Sequence, residues 1–471
     1  MIKRILVFGA GVFGLAGLWA ERPNVLFIAI DDLNPSIGIY GAMEAATPHM
    51  DRLGASGTTF LNAACQFPVC GPSRASLLTG LRPEATGVLD LKTKMRDVHP
   101  DILTLPQYFK QSGYTTAAVG KIFDARCVDS RRQGDAISWT IPYNENPNPI
   151  GVTAISEGKR VTQSIDAPDE AFIDGRIGRR GVELLGELSA GDSPFFLAVG
   201  FKKPHLPFVA PKRFWDQYDP AKILLATFQA ETAGNSGFGY WNSNEIRTYE
   251  GVPKEGPLDP DFQRHLIHGY YACTSWVDEW VGRLTDELAK QGLAENTIVV
   301  LWGDHGWHLG DHGLWGKHTV FESAIRAPLI IVDPRLKSGG ATAAPVEFTD
   351  VFPTLCELAG LPRPSPLQGV SLRAALTSPE ARPRAASIAY RKSKGAAGYS
   401  VRTERYRYIE WIDLKTAELV GQDLFDFELD PEGKRNWVDD PGHFDAVATM
   451  QGHLHADTAG WHLLQRHLAR D

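Results

Sequence analysis

Three apolar runs with almost no polar interruption dictate what this chain can fold into. They are Asn24–Ile30 (Asn-Val-Leu-Phe-Ile-Ala-Ile), Pro194–Val199 and Thr297–Trp302. Such runs suit strands buried on both faces rather than the alternating strands of a half-solvated sheet. Thr115–Val119 and Pro328–Val332 are shorter versions of the same signal. Stretches with helical spacing separate them: 47–56, 103–112, 175–190, 259–291 and 349–359. The pattern predicts an α/β fold with a large, mostly parallel sheet sandwiched by helices. Past about residue 375 the texture changes. Residues 399–411 alternate as an antiparallel hairpin does, and a helix is expected after Pro441. A smaller α+β subdomain over 376–471, containing an antiparallel sheet, is expected to follow a main domain over 21–375.

Ionisable residues stand at or just past the ends of these runs. Asp31 and Asp32 follow the first, Lys121 follows the run ending at Val119, His205 lies beyond the run ending at Val199, and Asp304 closes the run ending at Trp302. Taken singly each has a bland explanation. Asp31-Asp32-Leu33-Asn34-Pro35 also fits a solvated turn, and Lys121 fits an ordinary surface lysine. Adjacent carboxylates at a buried strand end are costly unless a cation neutralises them. Taken together the residues converge, because parallel strands share one C-terminal edge, where ligands bind in open α/β sheets.

The stretch Cys70-Gly71-Pro72-Ser73-Arg74, running on through Thr79-Gly80, predicts a turn feeding a short helix with Pro72 in its first turn and Gly80 as its stop. Cys70 would sit at the helix N-terminus, where free N–H groups favour an anion, and Arg74 would reach back as a planar fork. A buried structural cysteine beside a surface arginine fits the same residues. The stretch also resembles the signature of type I sulfatases of the alkaline phosphatase superfamily. Asp-Asp-Leu-Asn-Pro, Gly120-Lys121-Ile122-Phe123, Lys203-Pro204-His205-Leu206-Pro207-Phe208, Gly303-Asp304-His305-Gly306-Trp307-His308 and Trp315-Gly316-Lys317-His318 extend the resemblance. In order along Asn24 to Trp437, they are most similar to iduronate-2-sulfatase and its bacterial relatives.

That resemblance implies an alkaline phosphatase-like sheet and a sulfuric ester hydrolase acting on a sulfated saccharide. It implies that a maturation enzyme oxidises Cys70 to Cα-formylglycine. It implies a divalent cation, calcium with magnesium as the alternative, among Asp31, Asp32, Cys70, Asp304 and His305. Three carboxylates and a hard oxyanion suit such a cation, whereas imidazole is a poor calcium ligand, so His305 is expected beside the metal. His308 and His312 make no compact zinc set. The implied catalytic residues are Cys70, Arg74, Lys121, His205 and Lys317. Arg74, Lys121, His305 and Lys317 would face the sulfate, and His205 would protonate the departing sugar oxygen. The chain departs from the pattern at Asp124, where the relatives carry a histidine thought to contact the geminal hydroxyls.

Two rival readings remain at this stage: a phosphatase or phosphodiesterase on the same sheet edge, and a degenerate binder of sulfated glycans. Residues 1–20, with Lys3 and Arg4 before an apolar run from Ile5 to Trp19, read as a secretory signal, so a secreted or periplasmic protein with no membrane span after cleavage is expected. The formal net charge of -8 argues against a nucleic-acid partner. Five cysteines in 471 residues make no disulfide framework, and the four besides Cys70 are expected as free core thiols.

Overall fold

The computed structural model describes residues 22–456 apart from 43, 242, 338 and 339, so the expected signal lies outside the described residues. The strands of the main sheet are β1 (Asn24–Ile30), β2 (Thr58–Ala64), β3 (Thr115–Gly120), β4 (Phe195–Phe201), β5 (Thr297–Gly303), β6 (Leu329–Val332) and β7 (Gly340–Glu347). They lie in the order β7-β2-β6-β5-β1-β4-β3. All pairings are parallel except those of β6, which runs antiparallel to both β5 and β2.

β1, β3, β4, β5 and β6 each serve two cores, as the uninterrupted runs require. Val25, Phe27 and Ala29 of β1 join one cluster with Phe60, Phe196 and Trp302. Leu26, Ile28 and Ile30 join the other with Leu184, Trp276 and Val281. The second face is covered by helices Ile173–Ser189 and Pro260–Lys290. The latter begins where the Asp259 carboxylate accepts from the N–H groups of Asp261 and Phe262, with Pro260 in its first turn. Helices Cys70–Thr79, Leu105–Gln111 and Val351–Leu358 cover the first face.

β2 and β7 were not expected from the sequence. Thr58-Thr59-Phe60-Leu61-Asn62-Ala63-Ala64 mixes polar and small residues and lacks a continuous apolar signature. β2 nevertheless runs parallel to β1 and β5, and its C-terminal end feeds the segment that reaches Cys70. In the C-terminal region the expected hairpin is part of a four-stranded antiparallel meander: β8 (Ser387–Ser393), β9 (Ala396–Arg402), β10 (Tyr406–Asp413) and β11 (Leu419–Asp426). Ile409, Trp411 and Phe425 enter the main core, while Tyr408, Leu424 and Ile412 pack with Met450 and Leu454 of helix Phe444–Ala456. The meander also braces the approach to Cys70. Phe67 packs on Tyr390 at 5.9 Å between rings, and the Tyr390 N–H donates to the Gln66 carbonyl at 2.8 Å.

Candidate active site

Strand register brings the ionisable residues level. Ile30 pairs with both Phe201 and Gly303, and Gly120 pairs with Gly200. Asp31 and Asp304 therefore leave adjacent strands at one height, and Lys121 leaves one row behind. Gly200 is obligatory here, because a Cβ on it would collide with the Lys121 backbone. Asp32 takes a left-handed backbone, φ 60°, unusual for a non-glycine residue, and its N–H donates to Asp304 Oδ1 at 3.0 Å.

Cys70 opens the helix Cys70–Thr79, and Gly80 closes it in the left-handed region. The Cys70 Sγ lies 3.3 Å from His305 Nε2 and 3.5 Å from Lys317 Nζ. Lys317 Nζ also donates to Asp32 Oδ1 at 2.8 Å, and Lys121 Nζ to Asp31 Oδ2 at 2.5 Å. His305 Nδ1 is 3.0 Å from the Gly306 carbonyl, which leaves Nε2 facing Cys70, Asp32 and Asp304. His205 Nε2 lies 3.8 Å from Asp32 Oδ2.

Arg74 takes a different place from the one its fork suggested. It is fully buried and absent from the cavity wall. Nε donates to Asp304 Oδ2 at 2.8 Å and Nη2 to Asp31 Oδ1 at 3.2 Å. Nη1 donates to the carbonyls of Lys121 and Ile122. Arg74 thus grips the carboxylates and the strand end carrying Lys121, and fixes their spacing. Ser73 adds a bond from its hydroxyl to the Asp304 carbonyl at 2.5 Å.

Burial opposes charge on Asp31, Asp32, Lys121, Lys317, His205 and Cys70, and the charged neighbours either overcome it or do not. Against burial, Lys121, His205 and Arg74 hold Asp31 well below the usual carboxylate range. Burial prevails at Asp32, whose pKa is raised despite His205 and Lys317. Lys121 and Lys317 are pushed up, against burial, chiefly by Asp31 and Asp32 respectively. His205 is also raised: burial is the largest influence and lowers it, but Asp32, Asp31 and the Glu245 contact together overcome it, which favours the proton-bearing form of a general acid. Burial and Asp31 push the Cys70 thiol well up, so the unmodified side chain is a poor thiolate nucleophile.

The cluster opens into a cavity of about 580 Å³ lined by Cys70, Asp31, Lys121, His205 and Lys317. Sequence reasoning missed Glu245 in its wall. Glu245 Oε1 lies 3.3 Å from His205 Nε2, and Oε2 lies 3.5 Å from Lys317 Nζ. Against burial, Lys317 and His205 hold it well below the ordinary range. It sits on a single helical turn, Asn244–Arg247, inside a glycine- and aromatic-rich segment, where nothing in the local pattern marks a site residue. Asp124 is also in the wall, buried, and clamped by Arg126 through Nε at 2.9 Å and Nη2 at 2.7 Å. Against burial, Arg126 and Lys121 keep it ionised, so it cannot stand in for a proton-carrying histidine. His308 and His312 lie elsewhere: His308 bridges Asp311 and Thr319, and His312 packs on Phe321. The other four cysteines are buried and free.

The residues fit a divalent cation. Ligand atoms of Asp31, Cys70, Asp304 and His305 all lie within 4.8 Å of one another, as do those of Asp31, Asp32, Cys70 and His205. The buried Asp32 Oδ2 has no hydrogen-bond partner among the described residues. Such an orphaned carboxylate oxygen, with two more carboxylates beside it, is a donor set for a hard cation.

A cysteine, three carboxylates, two lysines and two histidines at one sheet edge define a hydrolase centre for an anionic ester. The sequence comparisons narrow this class. A family model described as Sulfatase matches residues 23–361, and one described as N-sulphoglucosamine sulphohydrolase, C-terminal, matches residues 310–459. The chain belongs to the sulfatase family and is a sulfuric ester hydrolase. It is 31% identical over 446 residues to a sulfatase of Formosa agariphila, covering 90% of this chain and 84% of the relative. It is 30% identical over 504 residues to the iduronate 2-sulfatase of Mus musculus, covering 89% and 91%. In fold it is similar to BT4656, solved with its substrate D-glucosamine-2-N,6-O-disulfate, at a TM-score of 0.75 and 21% identity, covering 95% and 99%. A phosphonate monoester hydrolase from Silicibacter pomeroyi shares the fold at 0.74 and 24% identity, covering 91% and 94%. The family works with a divalent metal and a formylglycine made from a cysteine. Among the described residues no helix is long and apolar enough to cross a membrane.

Proposed function

We propose that this sulfatase removes an O-sulfate from a sulfated carbohydrate, using Cys70 matured to formylglycine and one calcium ion. The observation that carries this reading is the convergence on the Cys70 Sγ of Lys317 at 3.5 Å and His305 at 3.3 Å, with Asp31, Asp32 and Asp304 beside them. Similarity to iduronate 2-sulfatase supports the carbohydrate class.

Formylglycine at 70 would supply a hydrated-aldehyde hydroxyl as nucleophile, and calcium, which Asp31, Asp32 and Asp304 would hold with His305 beside it, would supply positive charge. Lys121 and Lys317 place fixed positive charge where charge grows on the sulfate oxygens. His205, its charged form favoured by Asp32 and oriented by Glu245, gives its proton to the departing sugar oxygen. Arg74 holds Asp31, Asp304 and the Lys121 backbone at fixed spacing, so that little reorganisation accompanies the reaction. Residues 1–20 act as a signal directing a secreted or periplasmic protein, and a formylglycine-generating enzyme is its maturation partner.

The test is sulfate release from a panel of defined sulfated oligosaccharides, using protein co-expressed with a formylglycine-generating enzyme. Cys70 conversion is followed by peptide mass. Sulfate release that tracks conversion is the expected result. Full conversion and calcium loading without release from any saccharide would overturn the reading.

A further inference from the structure

A second cavity, of about 880 Å³, shares Trp241 with the Cys70 cavity. The two therefore meet at one indole. The second cavity lies between the 229–257 segment and the β8–β9 hairpin. Arg391, Lys392 and Lys394 of the hairpin line it opposite Arg247 and Lys254, while Glu231 and Glu255 are its acids.

Arg391 is the unusual member. Its Nε donates to the Lys392 carbonyl at 3.2 Å, and its guanidinium lies 5.7 Å from the centre of the Trp241 ring. Among the described residues no carboxylate pairs with it. Burial lowers it to about 9, with no acid offsetting that effect. A half-buried guanidinium without a counter-ion is a costly arrangement that an incoming anion would relieve. Trp241 also meets His318 of the Cys70 cavity, 4.6 Å between rings. The buried Trp241 Nε1 has no hydrogen-bond partner among the described residues. An imidazole, an indole with a spare donor and an unpaired guanidinium thus form a path from one cavity to the next.

We propose that this second cavity is a subsite for a further anionic group, carboxylate or sulfate, of an oligosaccharide whose scissile sulfate lies at residue 70. Arg391 is its principal anion ligand and Trp241 is the platform between the two groups. The inference rests on the carbohydrate reading above and makes the substrate an anionic chain rather than a single sulfated sugar. Arg391 can meet either oxyanion through two parallel N–H bonds, which an ammonium cannot do.

The test compares wild type with Arg391→Gln and, as a milder surface change, Lys392→Gln. Turnover is measured on 4-nitrophenyl sulfate and on heparin-derived and ulvan-derived tetrasaccharides. Binding of the same tetrasaccharides is measured by calorimetry in the Cys70→Ala background. Arg391→Gln is expected to raise KM and Kd for a tetrasaccharide by roughly tenfold or more, with kcat and 4-nitrophenyl sulfate turnover unchanged. Lys392→Gln is expected to give a smaller shift in the same direction. Carboxyl-reduced tetrasaccharides assign the group: an effect that survives reduction identifies a sulfate, and one that vanishes identifies a carboxylate. Equal affinity of wild type and Arg391→Gln for every tetrasaccharide overturns the subsite, as does an equal loss on 4-nitrophenyl sulfate. Arg391-dependent binding without sulfate release from matured enzyme would uphold the subsite and fail the carbohydrate-sulfatase reading instead.

Discussion

Two of the buried clusters of acids and bases in this molecule differ in how fully their carboxylates are met. In the first, Glu347 and Asp350 meet Arg82 and Arg384 beneath the start of β8. Glu347 Oε1 accepts from Arg82 at 2.7 Å and from the Ile388 N–H at 2.8 Å, and pairs with Arg384 at 2.8 Å. Asp350 accepts from Arg384 and from the N–H groups of Glu347 and Val370. All four carboxylate oxygens of this pair are engaged. In the second cluster, Asp31, Asp32 and Asp304 meet Arg74, Lys121 and Lys317, yet Asp32 Oδ2 has no hydrogen-bond partner among the described residues and the group opens on a cavity. A saturated network holds the fold together, whereas one that retains an unmet acceptor and an entrance is arranged for something absent from the chain itself.

Perturbing each cluster separately tests this contrast. Asp304→Asn is expected to lower sulfate release by about 4 kcal/mol of barrier, roughly a thousandfold, with calcium binding weakened. His205→Gln should cost at least about a hundredfold on a sugar sulfate and far less on 4-nitrophenyl sulfate, whose good leaving group needs no proton. Equal losses on both substrates would remove His205 from the acid role. Glu347→Gln should do the opposite of Asp304→Asn. It should destabilise the protein by about 3–5 kcal/mol in denaturant, leaving Arg82 and Arg384 short of charge, while folded protein keeps its kcat. Chelation of calcium should abolish turnover and remove about 2.7 kcal/mol of stability relative to a hundredfold excess of metal over Kd, both restored by adding calcium back. The smallest effect is expected from Asp124→Asn, which loosens Arg126 and should change 4-nitrophenyl sulfate turnover by less than about tenfold. A collapse there would give Asp124 a part of its own in the chemistry.

The contrast also explains what the sequence disclosed. Asp31, Asp32 and Asp304 were legible because each ends an unmistakable buried run, and strand register then brings them together. Lys121 was legible by the same logic. Glu245 was not, since its one-turn helix is too short to show a period and it reaches His205 through tertiary folding alone. Arg74 was legible as a site residue, but its direction was not. Whether a guanidinium faces a ligand or the protein depends on which carboxylates flank it, and that is set by strands 43 and 230 residues distant in sequence. β2 was missed because threonine and alanine carry little strand signal, although it is the strand that delivers Cys70. The reversed β6 was equally hidden, because an apolar run does not encode its own direction.

The central claim is that the cluster around residue 70 works through an oxidised cysteine. The direct measurement is sulfate release from one cleavable sulfated saccharide by matured wild type and by Cys70→Ala, with the residue-70 peptide weighed in each. Aldehyde and turnover present together in wild type, and both missing in Cys70→Ala, is the predicted result. Undiminished sulfate release by Cys70→Ala would contradict it.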